Sequence, residues 1–273
     1  MLVDTHAHLE TVDDLEGVLE NAKDAGVSKI ITIGTSIKAS KKCVQIAEQR
    51  RTGTQIYATV GIHPKDGKGE VEKLGLARCI DTLKQIVRSS KKVVGIGECG
   101  LDYRVTNDNL QLTTDKEKDF QRELFKEQIK LAAQLKLPLV IHCRNAWNEI
   151  FSLLTTNYRL RTKIGGVFHS WTGDWQTAKR VLDLGFYISF SGIVTFKNAK
   201  EIQEVAKKMP VEKMLVETDS PYLSPEPWRG KINEPKNVKI VAEFITILRS
   251  LSLDQIAQVT SENAERLFGF ENL

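Results

Sequence analysis

Eight short runs rich in Val, Ile and other strand-forming residues recur along the chain, with amphipathic helical segments between them. The runs are MLVDTHAH, KIITIG, QIYATVGIH, KVVGIGE, PLVIHC, IGGVFH, FYISFSG and KMLVETD. Their apolar residues are nearly continuous rather than alternating, which is typical of parallel strands covered on both faces. Eight strand-then-helix units in one chain predict a (β/α)8 TIM barrel, and an open doubly wound sheet is the alternative.

The whole chain, residues 1–273, is predicted to form a single domain. Its length of 273 residues is close to the ~250 typical of such barrels. No Gly/Ser-rich linker, low-complexity segment or sharp shift in composition divides it. Two stretches, residues 104–113 and 220–234, are longer than a simple connection requires, and long loops of this kind are often functional.

Composition and charge exclude several classes of protein. Hydrophobic residues make up 41% and charged residues 27% of the chain, which excludes extended disorder. The net charge of +4 is too small for a general polyanion-binding surface, so any nucleic acid needs a local site. The N terminus has no signal-peptide pattern and no apolar stretch approaches the ~20 residues of a membrane span. We therefore expect a cytoplasmic protein with no membrane association, reduced cysteines and no obligate protein partner.

The five histidines of the chain share one position in the repeating unit, the C-terminal end of a predicted strand. His6 and His8 end the first strand, His63 the third, His142 the fifth and His169 the sixth. Glu98 and Asp219 end the fourth and eighth strands in the same way. Because all strands of a parallel barrel end on one rim, these side chains are expected to meet in one cavity. Converging imidazoles and carboxylates indicate a metal site.

The number of these groups predicts two ions rather than one. Six candidate ligands exceed what one four-coordinate metal uses: His6, His8, Glu98, His142, His169 and Asp219. Glu98, in the middle of the strand series, is the predicted bridge. One metal would take His6, His8, Glu98 and Asp219, and the other Glu98, His142 and His169. Two ions about 4 Å apart are common in phosphoester hydrolysis, and the ligands accommodate Zn²⁺, Mg²⁺ or Mn²⁺.

Successive motifs in the chain resemble those of one known family. From residue 3 to residue 269 they are DTHAHL, GIHP, GIGECGLDY, IHCRNAW, HSWTG, ETDSPYL, RGKINEP and TSENAERLFG. In number, order and spacing they are similar to the signature motifs of the TatD family of metal-dependent deoxyribonucleases, within the amidohydrolase superfamily. The resemblance implies a TIM-barrel hydrolase with two divalent ions that cuts DNA phosphodiesters, in several members as a 3′ to 5′ exonuclease. Residues 104–119 match the family less well than their neighbours do.

The resemblance also implies roles for individual residues. The family's metal ligands fall on the same six positions already named. Asp219 would in addition orient the attacking water and take its proton. His63 is not expected to bind metal in the family and would contact a phosphate or the developing oxyanion. Arg144, next to a ligand in the HCR sequence, fits a phosphate clamp, for which a planar guanidinium is suited.

Further substrate contacts are expected from aromatic and basic residues beyond the strand ends. All four tryptophans follow strands five, six and eight. Trp171 and Trp228 are the better candidates for stacking on unpaired bases, and packing of helices onto the barrel is the alternative. Tyr222 and Arg229 are also predicted to bind substrate. The family often has another aromatic at the positions of Tyr222 and Trp228, which leaves base preference open.

Two other functions stay open at this point. Related barrels cleave cyclic amides, lactones, phosphotriesters or aminoacyl esters such as aminoacyl-tRNA with similar ligands. Many of them use a carboxylated lysine as the bridge, where this chain has Glu98. The third possibility is a nucleic-acid-binding protein that has kept the fold without chemistry. No ligand position is substituted, so nothing in the sequence favours it directly.

Overall fold

Parallel strands make up the centre of the molecule. The computed structural model describes residues 1–49, 53–104, 112–156 and 165–270. Within these ranges eight strands form one sheet: β1 (Leu2–Ala7), β2 (Val27–Thr32), β3 (Gln55–Val60), β4 (Val93–Asp102), β5 (Leu139–Arg144), β6 (Gly166–Phe168), β7 (Tyr187–Phe190) and β8 (Met214–Val216). Each strand pairs in parallel with the next in sequence. This order confirms the predicted TIM barrel, and the open doubly wound alternative is wrong.

The segment after β8 closes the barrel against β1. Ala7 forms a parallel bridge with Ser220. The backbone N–H of Asp219 donates to the carbonyl of His6 at 2.8 Å, and that of His8 donates to the carbonyl of Ser220 at 2.7 Å. The seam between the first and last strands therefore includes three predicted metal ligands, His6, His8 and Asp219.

Helices cover the outside of the barrel in the described ranges. They are α1 (Leu15–Asp24), α2 (Ile37–Glu48), α3 (Lys68–Leu74), α4 (Leu76–Arg88), α5 (Asp115–Leu135), α6 (Trp147–Thr156), α7 (Trp175–Asp183), α8 (Lys200–Lys208), α9 (Val238–Arg249) and α10 (Leu253–Phe268). A capping box formed by Thr114 and Glu117 begins α5. Gly269, with φ of 59°, ends α10 in the left-handed conformation that glycine tolerates. Among the described residues, no helix has both the length and the apolar character needed to cross a bilayer.

A compact apolar cluster occupies the barrel interior. It takes one residue from each strand: Val3, Ile31, Tyr57, Val94, Val140, Val167, Tyr187 and Leu215. Phe268 and Phe270 pack against the same cluster and belong to α10 and the residues after it. Because a strand has a period of two, the residues two positions beyond Val140, Val167 and Leu215 face the same interior. Those residues are His142, His169 and Glu217, so the site lies directly above this cluster.

Three predicted strand ends differ from the structure by three residues or more. His63, expected at the end of β3, lies three residues beyond the last residue of that strand, Val60. β4 was expected to end at Glu98, but it continues to Asp102. Gly97 and Gly100 lie inside this strand. Asp219, expected at the end of β8, lies three residues beyond the last residue of that strand, Val216. Most of the predicted loop at 104–113 lies outside the described residues.

Candidate metal centre

An open cavity of about 540 Å³ lies at the C-terminal ends of the strands. Most of the predicted site residues line it, namely His8, His63, Glu98, His142, Arg144, His169, Asp219 and Tyr222. His6 is fully buried and lies beside them, since its ring stacks on that of His169 with the centroids 4.0 Å apart. Residues far apart in the sequence thus form one cluster, as expected of a barrel rim.

A first group of donor atoms comes from β1, β4 and the segment after β8. Nε2 of His6 lies 3.6 Å from Oε2 of Glu98 and 3.6 Å from Oδ1 of Asp219. Nε2 of His8 lies 3.3 Å from the same Asp219 oxygen and 4.0 Å from the same Glu98 oxygen. Two imidazoles and two carboxylates therefore enclose one point.

A second group comes from β4, β5 and the end of β6. Nδ1 of His142 and Nε2 of His169 each lie 2.9 Å from Oε1 of Glu98. The two ring nitrogens are 3.3 Å from each other. The two oxygens of Glu98 thus face two different donor groups, which is the arrangement of a bridging carboxylate.

These separations fit bound divalent ions. Ligand atoms that share one tetrahedral ion at ~2.0–2.2 Å lie roughly 3.3–3.6 Å from one another. Three of the four contacts in the first group fall at 3.3–3.6 Å. Neither ring nitrogen of His6 has a hydrogen-bond partner among the described residues, although the ring is fully buried. A buried, unpartnered imidazole is costly unless it ligates something, so the first donor group fits a divalent metal ion.

Three buried carboxylates that the sequence interpretation missed hold the far sides of the histidine rings. Oδ2 of Asp102 lies 3.2 Å from Nε2 of His142. Oε1 of Glu217 lies 3.4 Å from Nδ1 of His169 and accepts the backbone N–H of Ser170 at 2.7 Å. Oε1 of Glu10 lies 3.4 Å from Nδ1 of His8. Such carboxylates fix the ring orientation and make a metal-bound histidine more basic.

The charges of the site stabilise one another despite burial. Burial by itself would raise the pKa of Glu98, but His169, His63 and His142 hold that pKa well below its usual value. Burial would lower the pKa of His169, yet Glu98 and Glu217 raise it well above the ordinary value. Burial, together with His169, lowers the pKa of His6. Glu98 is therefore ionised beside a charged His169, whereas His6 is neutral and has a lone pair free for a metal ion.

Asp219 and Gly100 are among the described residues with positive φ, a conformation that non-glycine residues rarely adopt. Asp219 has φ of 58° and is held by its hydrogen bond to the carbonyl of His6. Backbone strain of this kind persists only where the surroundings enforce it, and it is common in active sites. Gly100 has φ of 138°, and a Cβ there would lie 2.0 Å from the carbonyl oxygen of His142. That glycine is what allows β4 to approach the ligand strand β5 closely.

The predicted substrate residues divide into two sets. Arg144 and Tyr222 are exposed and line the cavity. His63 also lines it, with Nε2 3.7 Å from Oε1 of Glu98 and Nδ1 3.2 Å from Oδ2 of Asp66.

Trp171 and Arg229 are not among the residues that line the cavity. Trp171 is only 1% exposed and its ring lies 4.8 Å from that of Trp147. This burial matches the packing alternative and leaves no open face for a base. Arg229 is exposed and stacks on Phe196 at 4.2 Å.

Comparison with known proteins places the chain among relatives of similar length. A family model described as TatD related DNase matches residues 3–269. An uncharacterized metal-dependent hydrolase of Bacillus subtilis (strain 168), YabD, is 40% identical over 272 residues, which cover 98% of this chain and 99% of the relative. The uncharacterized metal-dependent hydrolase YcfH of Escherichia coli (strain K12) is 35% identical over 273 residues, covering 98% and 95%.

Solved structures share the fold. YjjV, a TatD homolog from Escherichia coli K12, matches with a TM-score of 0.85 at 31% identity, over 99% of this chain and 98% of that one. The phosphotriesterase homology protein of Escherichia coli, whose crystal structure contains phosphate in its active site, matches with a TM-score of 0.65 at 15% identity, over 98% of both chains. At that identity the second likeness extends to the fold alone.

Fold, donor groups and relatives together define a metal-dependent hydrolase with the amidohydrolase-type barrel. Within that class the chain belongs to the TatD family, since the family model covers nearly its whole length. The identification made from the sequence motifs is thereby confirmed.

Proposed function

We propose that the chain is a deoxyribonuclease that hydrolyses DNA phosphodiester bonds with two bound divalent ions. The proposal rests on the position of the Glu98 carboxylate between two groups of histidines. Its Oε2 faces His6 and His8, and its Oε1 faces His142 and His169. When bound, a pair of ions at such a site activates water and stabilises the departing oxygen of a phosphoester. The mixed imidazole and carboxylate donors suit Zn²⁺ or Mn²⁺.

The charge of the cavity supports an anionic substrate only when metal is bound. Four carboxylates line it, those of Glu10, Asp66, Glu98 and Asp219, against one guanidinium, that of Arg144. Without cations this lining would repel a phosphodiester. Two divalent ions would outweigh the carboxylates and leave a site attractive to phosphate, with Arg144 as a further partner.

The residues around the donor groups suit the individual steps of hydrolysis. Asp219 lines the cavity as well as belonging to the first donor group, so its carboxylate can orient a water and accept its proton. His63 is oriented by Asp66 and directs Nε2 toward the site, where it can donate to a phosphate oxygen. Arg144 can clamp a neighbouring phosphate through its planar guanidinium.

The size of the cavity favours strand ends or single strands as substrate. A volume of about 540 Å³ is that of a pocket for a small ligand. It can hold a nucleotide, whereas a duplex cannot reach the buried Glu98 and His6. We therefore propose exonuclease action on unpaired ends, with the 3′ to 5′ polarity found in several family members.

Substitution of the bridging residue tests the proposal. Glu98→Ala should lower the metal content from two ions per chain to fewer than one, and reduce cleavage of an end-labelled single strand by more than about 100-fold. Metal content is measured by elemental analysis and folding by circular dichroism. Glu123→Ala, an exposed change on α5, is the matched control and should alter neither quantity.

The same assay separates the proposal from its alternatives. Wild-type protein is offered single-stranded DNA, aminoacyl-tRNA and small esters side by side, each with Zn²⁺, Mn²⁺ or Mg²⁺. Preferential cleavage of DNA is the expected result. Full DNA cleavage by Glu98→Ala, or turnover of esters alone, contradicts the proposal. DNA binding that persists in chelator without any cleavage would instead indicate a binding protein.

A further inference from the structure

Exposed apolar side chains concentrate in one segment beside the cavity, residues 220–234, termed here the β8 rim loop. Among the described residues, the large hydrophobic side chains that stand exposed are Met1, Leu112, Tyr222, Trp228, Ile232 and Ile247. Three of them belong to this loop, with Tyr222 56%, Trp228 46% and Ile232 82% exposed. Of these three, Tyr222 also lines the cavity, so the loop is placed to contact a ligand that enters it.

The loop is firmly attached to the site. Tyr222 lines the cavity, and its ring meets that of His8 edge-on with the centroids 5.7 Å apart. The buried side chain of Asn233 donates to the carbonyls of Thr218 and Tyr222 at 2.9 and 2.7 Å. The backbone N–H of Asn233 donates to the carbonyl of Pro221 at 3.0 Å. These bonds tie both ends of the loop to the segment that carries Asp219, so its apolar side chains project from a fixed base.

Cations accompany the aromatic rings. Nζ of Lys231 lies 4.8 Å from the ring centroid of Trp228, and the guanidinium of Arg229 lies 4.2 Å from that of Phe196. Neither cation has an ion-pair partner within the described part of the chain. The loop also carries two carboxylates, Glu226 and Glu234, of which Glu234 is paired with Lys236. The loop thus places a partly exposed indole next to two cations. Proteins use this combination to hold single strands, because bases stack on the ring while the cations attract phosphates.

We propose that the β8 rim loop is a stacking platform for unpaired nucleobases of a strand whose scissile phosphate lies in the cavity. Trp228 supplies the stacking face, Lys231 and Arg229 attract the adjoining phosphates, and Tyr222 lies where the strand enters the cavity. The inference rests on the proposed function, since it names how that site recognises its substrate. It predicts recognition of bases without regard to their sequence, because every base has a π face.

Binding of two strands that differ only in their bases tests the platform. One is a labelled oligothymidylate, and the other has the same length but abasic residues in place of thymidines. Stopped-flow anisotropy records binding before cleavage, and gels from the same samples record cleavage later. Trp228→Ala should raise the Kd for the intact strand by at least about fivefold more than it raises the Kd for the abasic strand. Trp228→Phe should recover most of this difference, and Ile247→Ala, a change of another exposed apolar residue on α9, should show none.

The outcomes separate this proposal from the proposed nuclease activity. Equal effects of Trp228→Ala on both strands overturn the platform, even if DNA is cleaved normally. That result would point instead to a protein partner on the exposed surface. A base-dependent effect with no cleavage under any metal supports the platform and contradicts the nuclease. A base-dependent effect together with cleavage supports both.

Discussion

Oδ2 of Asp102 lies 3.2 Å from Nε2 of His142, on the side of the ring opposite Glu98. Because Nδ1 of the same ring lies 2.9 Å from Oε1 of Glu98, one histidine connects a buried carboxylate to the proposed bridge. Asp102 is in turn fixed by Gln121, which donates its side-chain N–H to the Asp102 carbonyl at 3.1 Å. The orientation of a ligand on β5 therefore depends on residues of β4 and α5.

Removal of the charge on Asp102 should selectively weaken metal binding at the second donor group, which consists of Glu98, His142 and His169. We expect Asp102→Asn to lower the affinity for one of the two ions by about 10–100-fold, because the His142 ring loses the carboxylate that orients it and makes it more basic. Titration against a chelating dye measures the two affinities separately. Asp115→Asn, an exposed change at the start of α5, is the control. Unchanged affinity for both ions in Asp102→Asn would refute the positioning role.

The close contact between β4 and β5 should not tolerate a side chain at Gly100. A Cβ there would lie 2.0 Å from the carbonyl oxygen of His142, and φ is 138°. Gly100→Ala should therefore destabilise the protein by about 1–3 kcal/mol and reduce metal retention, because β5 must move with its ligand.

Denaturant unfolding in the presence of chelator measures the change in free energy of unfolding for Gly100→Ala. Gly69→Ala in α3 is a matched control, since its Cβ would meet nothing within 4 Å. This control should be neutral or stabilising by up to about 1 kcal/mol. Equal stability of the two variants would show that β4 and β5 can separate without cost.

Two physical rules were enough to predict from the sequence that the histidines and two carboxylates lie close together. The two-residue period of a strand directed His6 and His8 to one side, and the shared rim of a parallel barrel brought Glu98 and Asp219 to them. The described structure brings the predicted donor residues together around Glu98, and their division between two metal ions stays a prediction.

The supporting carboxylates and the burial of Trp171 depend mainly on contacts between distant segments, which local sequence patterns do not specify. Asp102 was missed because the fourth strand was predicted to end at Glu98, whereas it continues to Asp102. Glu217 lies two residues before Asp219, so the period of two was a usable signal for it. The burial of Trp171 depends on its packing against Trp147 across two segments, which a single sequence does not reveal.

Arg144 should contribute to phosphate binding in a salt-dependent way. We expect Arg144→Ala to weaken binding of single strands regardless of sequence, and to reduce the slope of log Kd against log salt by about 0.7, the value for one phosphate contact on a single strand. Anisotropy at several salt concentrations measures this slope. Arg88→Ala, an exposed arginine at the end of α4 on the outside of the barrel, should leave it unchanged. A slope that is the same in Arg144→Ala and the wild type would remove Arg144 from the phosphate contacts.

The start of α5 should give the protein a defined acid sensitivity that does not involve the metal centre. The backbone N–H of Thr114, the ammonium of Lys68 and the Thr114 hydroxyl hold the pKa of Glu117 at about 2, below its ordinary value near 4.5. A carboxylate with a depressed pKa stabilises the fold above its unfolded pKa, and that contribution is lost as pH falls from 4.5 toward 2.

Glu117→Gln should therefore lower the free energy of unfolding by about 1 kcal/mol at neutral pH, the scale of an exposed ion pair and a helix-terminal charge. The difference from wild type should shrink to less than about half by pH 3. Urea unfolding in chelator over this range measures it, with Glu123→Gln on the same helix as the control for loss of one charge. A difference between wild type and Glu117→Gln that stays constant with pH would show that the carboxylate has no such role.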